Sequence, residues 1–109
     1  MNTIDLEERR KSNRVPVDML LNKYLKGRPY LCRATDLSAD GVLVKGILEP
    51  QSSDVHVGLQ FQLPGSDRVI TCAGQVVREQ GWQTTYGIHF RSLTPENRAL
   101  IQRYVGDRL

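Results

Sequence analysis

From Val15 onward, hydrophobic and polar residues alternate in short runs. Val15, Val17, Met19 and Leu21 share one side of an extended chain, and Pro16, Asp18, Leu20 and Asn22 take the other. Lys26, Gly27, Arg28 and Pro29 predict a turn, after which residues 30–37 and 41–45 read as a second and a third strand. The clearest strand is 55–63, where Val55, Val57, Leu59, Phe61 and Leu63 face one way and His56, Gly58, Gln60 and Gln62 the other. Pro64, Gly65, Ser66 and Asp67 form a strong turn signal. Residues 69–79 and 85–90 then read as two more strands, joined through a loop that contains Gly81 and Trp82. After Phe90 the period changes. Thr94 is placed to cap a helix with Pro95 at its first position and Glu96 in its first turn. Leu100, Ile101, Tyr104 and Val105 give that helix an apolar face, and Gly106 ends it.

Six short strands separated by turns predict an all-β dominated fold, a closed or nearly closed antiparallel barrel. The single C-terminal helix then packs against the barrel or plugs one end. Residues 1–14 differ in kind: Asp5, Glu7 and Glu8 are followed at once by Arg9, Arg10, Lys11 and Arg14, with few apolar residues between them. Such a segment buries little surface and reads as a flexible N-terminal arm or a short frayed helix. The expected organisation is therefore an arm over 1–14 and a single domain over 15–109.

Composition narrows the possible partners. The 109 residues suit one domain, with 39% hydrophobic and 25% charged residues. Fifteen Lys+Arg against 12 Asp+Glu leave a net charge of +3, which suits an anionic ligand but is far from the basic fields of a committed DNA binder. No apolar run approaches the roughly 20 residues that cross a bilayer, so no membrane insertion is expected. The acidic start of the chain does not read as a secretory signal, and two cysteines, Cys32 and Cys72, make no disulfide framework. The cytoplasm is the expected compartment.

Two polar clusters carry the candidate chemistry. One is the arginine-rich stretch holding Arg9, with Arg10 and Arg14 spaced Arg-x-x-x-Arg; the other is Asp36-Leu37-Ser38-Ala39-Asp40-Gly41. Alternation puts Asp36 and Ser38 on one strand face, and Gly41 permits a tight exit or the close approach of a ligand. If the first two strands pair about a turn near Gly27 and Arg28, partner numbers sum to about 55, setting Arg14 opposite Gly41 and Val17 opposite Ser38. A bulge shifts that register without separating the clusters. An arginine fork suits phosphate oxygens or the O6/N7 edge of guanine, and Asp36 accepts from a base N–H or fixes an arginine. A compact anionic nucleotide fits this pairing better than a long duplex. The plain alternatives are a solvated charge run partnered by Glu7 and Glu8, and an ordinary polar turn.

Other features read more simply. Cys32 and Cys72 are expected as small buried residues on strands. His56 and His89 lie on strand faces without ligand-spaced companions, so no metal or cofactor is expected. Ser38, His89 and Asp36 do not make a triad, because Asp36 and Ser38 are neighbours on one strand and no nucleophile elbow surrounds the serine. Catalysis is not expected. A single-stranded nucleic-acid barrel interleaves aromatics with bases along a groove, a pattern missing from a chain with 4 Tyr, 2 Phe and 1 Trp. Trp82 serves either as a partner-binding anchor or as packing at the barrel rim.

The chain resembles the PilZ domain family, bacterial receptors for the second messenger cyclic di-GMP. The resemblance rests on Arg10 and Arg14 with Arg9 before them, on Asp36, Ser38 and Gly41, and on Tyr86-Gly87-Ile88-His89-Phe90 followed by Leu93, Thr94, Pro95, Glu96 and a helix. It covers roughly residues 8–105. It implies that Arg10 and Arg14 engage the guanines and phosphates of cyclic di-GMP, with Arg9 a third contact. It further implies that Asp36 and Ser38 meet a guanine and a nearby phosphate while Gly41 leaves room. The expected protein is a stand-alone, non-enzymatic receptor in which the arm orders over the ligand and relays the signal to a separate partner. That partner would belong to motility or biofilm regulation: motility machinery, a polysaccharide synthase or a signalling enzyme. The alternative is an adaptor of the same fold that binds only protein.

Overall fold

A computed structural model describes residues 13–47, 53–77 and 85–109. The expectations for residues 1–12, including Arg9 and Arg10, and for Gly81 and Trp82 lie outside the described residues. The strands are β1 (Val15–Leu25), β2 (Arg28–Leu37), β3 (Gly41–Gly46), β4 (His56–Phe61), β5 (Ile70–Val77) and β6 (Thr85–Arg91), followed by α1 (Pro95–Gly106). All pairings are antiparallel, and the sheet closes in the order β1-β2-β3-β6-β5-β4. Closure removes the sheet's open edges.

Alternation is what builds the core. Val15, Met19, Leu21 and Leu25 of β1, Cys32, Ala34 and Leu37 of β2, and Val57, Leu59 and Phe61 of β4 all point inward and are buried. Phe61 and Phe90 stack with their ring centres 5.8 Å apart. Both cysteines are buried, and burial pushes the Cys72 thiol up from 9.0 to about 11, which leaves it protonated and inert at neutral pH.

The β1–β2 register departs from the simple ladder. The turn is two residues long, Lys26 and Gly27, both with positive φ (51° and 81°), and it joins Leu25 directly to its partner Arg28. Partner numbers therefore sum to 53 along most of the hairpin and to 52 at Pro16–Asp36, not to 55. The change occurs at a bulge between Pro16 and Met19; there Asp18 is bonded to Arg33 at 2.5 Å. A second irregularity between Ala34 and Asp36 in the β2–β3 ladder keeps both Ala34 and Leu37 inside. Val17 is consequently not opposite Ser38, nor Arg14 opposite Gly41. Arg14 instead stands one residue before the Val15–Leu37 pair, at the same end as Ser38, one residue after it.

In α1, Thr94 caps the helix by accepting from the Asn97 amide at 3.1 Å, with Pro95 at the start. The buried face is Asn97, Ile101 and Val105, while Leu100 and Tyr104 are half-buried at its margin. Asn97 is tolerated there because its side-chain oxygen accepts a 3.1 Å bond from Arg68 Nε just ahead of β5. Ile101 and Val105 join the strand core, so the helix lies across the barrel end where β1 and β3 begin. Among the described residues, no helix is long and apolar enough to cross a membrane.

Candidate functional site

The β2–β3 hairpin is held by its serine. Ser38 Oγ accepts from the amides of Asp40 (3.2 Å) and Gly41 (3.1 Å), and the Ser38 amide donates to the Gly41 carbonyl at 2.9 Å. The Asp40 carbonyl in turn accepts from the Phe90 amide at 2.8 Å, which ties the turn to β6. Asp36 and Ser38 flank the buried Leu37 and share the outer face, as alternation predicts. Asp36 is half-buried, and no hydrogen bond engages its carboxylate among the described residues.

A groove of about 700 Å³ opens beside this hairpin. Arg14, Asp36, Ser38 and Gly41 all line it, together with Asp40, Gly87 and His89 of the barrel and Gln102, Val105 and Leu109 at the end of the chain. Arg14 of the first sequence cluster thus meets the second cluster, more than twenty residues away, at one cavity by way of the β1–β2 pairing. Its volume falls within the usual range for small-molecule sites, roughly 300–1,000 Å³. Arg14 supplies a fixed cation and a planar donor fork; Asp36 supplies an acceptor with no protein partner among the described residues.

Two of the expected site residues also serve the fold. The Ser38 hydroxyl is engaged in the turn, where it positions the Asp40 and Gly41 backbone. Gly41 is explained by the fold: an added Cβ would lie 2.5 Å from the Ile88 carbonyl oxygen and 3.3 Å from the His89 Cα. Sequence reasoning treated His89 as a mere strand-face histidine and did not single out Gly87 or Gln102, all of which line the groove. The signal was available for His89 and Gly87, which occupy alternate, outward positions of β6.

Lys23 was missed altogether. It is 1% exposed inside the barrel, its ammonium donating to the Tyr86 hydroxyl and lying 4.7 Å from the centre of that ring. It continues the inward series Val15, Met19, Leu21, and that series was its sequence signal. Among the described residues, no three His, Cys, Asp or Glu side chains gather as a metal site.

The chain is thus a small closed barrel with a terminal helix, in which a cationic residue just ahead of β1 and an acidic hairpin line one groove. The chain belongs to the PilZ domain family, whose model matches residues 8–107. No curated protein sequence matches it. Among solved structures it is similar to the Bacillus subtilis inhibitor of motility MotI/DgrA, with a TM-score of 0.71 and 14% identity. That match covers 87% of this chain and 48% of the other, so the chain spans about half the length of the motility inhibitor. It is also similar to the uncharacterised Legionella protein Lpg0364 (TM-score 0.57, 13% identity), over 86% of this chain and 90% of that one. At such identities the likeness is one of fold.

Proposed function

We propose that this chain is a non-enzymatic receptor for cyclic di-GMP that relays occupancy of its groove to a separate protein. The observation that carries this reading is the convergence of Arg14, Asp36, Ser38 and Gly41 on one cavity within a PilZ domain. Arg14 meets a phosphate or the O6/N7 edge of a guanine with its donor fork, and Asp36 accepts from a guanine N–H. Arg10, four residues before Arg14, and Arg9 beside it supply the further cations that a ligand with two phosphates requires.

Isothermal titration calorimetry with cyclic di-GMP tests the reading. The wild type should give saturable heat, and Arg10→Ala should bind at least about tenfold more weakly, because a charge-assisted bond contributes roughly 1.5–3 kcal/mol. An absence of heat or competition at millimolar ligand would favour the protein-only adaptor. The relay rests on ordering of the arm, whose polarity leaves it little to bury by itself. Amide exchange over residues 9–15 should slow at saturating ligand, and unchanged exchange there would remove the ordering step.

A further inference from the structure

The groove floor is a strip of the barrel's outer surface. One row of it runs through paired residues Val77, Gly87, Leu43, Asp36 and Pro16, across β5, β6, β3, β2 and β1. Nearer the helix, His89 pairs with Gly41 on one side and Gln75 on the other. Gly87 therefore sits in the middle of a sheet, between two hydrogen-bonded neighbours, where glycine packs poorly and weakens the strand.

Nothing among the described residues asks for glycine at this position. Its φ is not in the left-handed region, and the one described atom that an added Cβ would meet within 4 Å is the Val77 carbonyl oxygen, at an ordinary 3.7 Å. Gly41 differs, since there the Ile88 backbone forbids a side chain. The space above Gly87 belongs to the groove itself. On either side stand Leu43 and Val77, both apolar and both lining the cavity. They are two interstrand spacings, about 10 Å, apart. Asp36 lies in the same row beyond Leu43.

We propose that Gly87 is a specificity-determining position. Its missing side chain leaves an apolar trench between Leu43 and Val77, and one purine ring of the bound cyclic dinucleotide lies flat in that trench against the β6 backbone. This rests on the proposed receptor function. A ring held there gains apolar contact on two sides and direct van der Waals approach to the peptide plane, which any larger residue at 87 would prevent. Asp36, further along the row, then meets the donor edge of the nucleotide.

The test is a series at one position. Gly87→Ala and Gly87→Val are titrated calorimetrically with cyclic di-GMP beside the wild type, and all are melted without ligand. Thr71→Val, an exposed β5 substitution outside the groove, serves as the control. Gly87→Val should weaken binding by roughly tenfold or more, and Gly87→Ala by a smaller factor, because added methyl groups in a fitted pocket discriminate on that scale. Melting temperatures should equal or exceed that of the wild type, and Thr71→Val should bind as the wild type does. Gly87→Val binding within about twofold of the wild type would overturn the proposal. So would melting of Gly87→Ala several degrees lower, which would show that the glycine serves the barrel. A wild type that fails to bind cyclic di-GMP would overturn the receptor reading itself, and the trench with it.

Discussion

Lys23→Ala is expected to lower the free energy of unfolding by about 2–5 kcal/mol, with little left of a stable domain at the upper end of that range. The side chain is 1% exposed, between Leu21 and Leu25 on the inward face of β1, and its neighbours across the ladders are Tyr30 and Leu59. Taking an ammonium out of water costs several kcal/mol, which the bond to the Tyr86 hydroxyl, the position over its ring and the ammonium's other contacts offset. What remains is the stem, four methylenes at about 0.8 kcal/mol each, and the cavity that alanine would leave. Alanine also removes a donor from the buried Tyr86 hydroxyl. Lys23→Met keeps the stem and drops the charge, so it should unfold within about 1.5 kcal/mol of the wild type. Urea denaturation followed by circular dichroism separates the outcomes. Equal stability of Lys23→Ala and wild type would show that the amine is solvated; equal losses in both variants would show that the charge itself holds the barrel together.

The same lysine shows how far alternation reads. Strand periodicity predicted the six strands because a barrel interior accepts only what points inward, and that rule applies from one end of β1 to the other. It placed Lys23 inward too, but a lysine carries no apolar label, and the Tyr86 phenol that helps to make its burial tolerable arrives from 63 residues away. The register was harder to read. The type of turn depends on Lys26 accepting a positive φ, which residue identity disfavours, and the irregularity before Asp36 exists because Ala34 and Leu37 must both be inside. Of the candidate site, the nearness of Arg14 to the Asp36–Gly41 turn was legible from the strand pairing. The floor of the site was not, since Gly87, Leu43 and Val77 become neighbours only when β6 is inserted between β3 and β5. The helix shows a similar limit: Asn97 looks polar and exposed in the sequence, and its burial depends on a single arginine near β5.

Gly41→Ala should destabilise the protein by about 1–3 kcal/mol and weaken cyclic di-GMP binding in the same variant, whereas substitutions at Gly87 should weaken binding without loss of stability. The added Cβ would sit 2.5 Å from the Ile88 carbonyl oxygen. That atom is backbone in the adjoining strand, so no rotamer change relieves the overlap and β3 must move away from β6. The displacement begins at the Gly41–His89 pair and reaches the neighbouring contact between the Phe90 amide and the Asp40 carbonyl, as well as the turn bonds made by Ser38. Alanine also restricts the unfolded chain, an effect of about 0.4–1 kcal/mol in the stabilising direction, which is smaller than the cost of overpacking against a fixed strand. Because the hairpin that moves also carries Asp36 and Ser38, the groove loses its acidic side together with its floor. Gly41→Val, with a second branch in the same space, should lose more stability than Gly41→Ala. Thermal melting and calorimetry on the same preparations check this: for a domain of this size each kcal/mol corresponds to roughly 4–8 °C. If Gly41→Ala melted like the wild type yet lost the ligand, the glycine would be leaving room for the nucleotide rather than for β6, and close packing of β3 on β6 would no longer account for it.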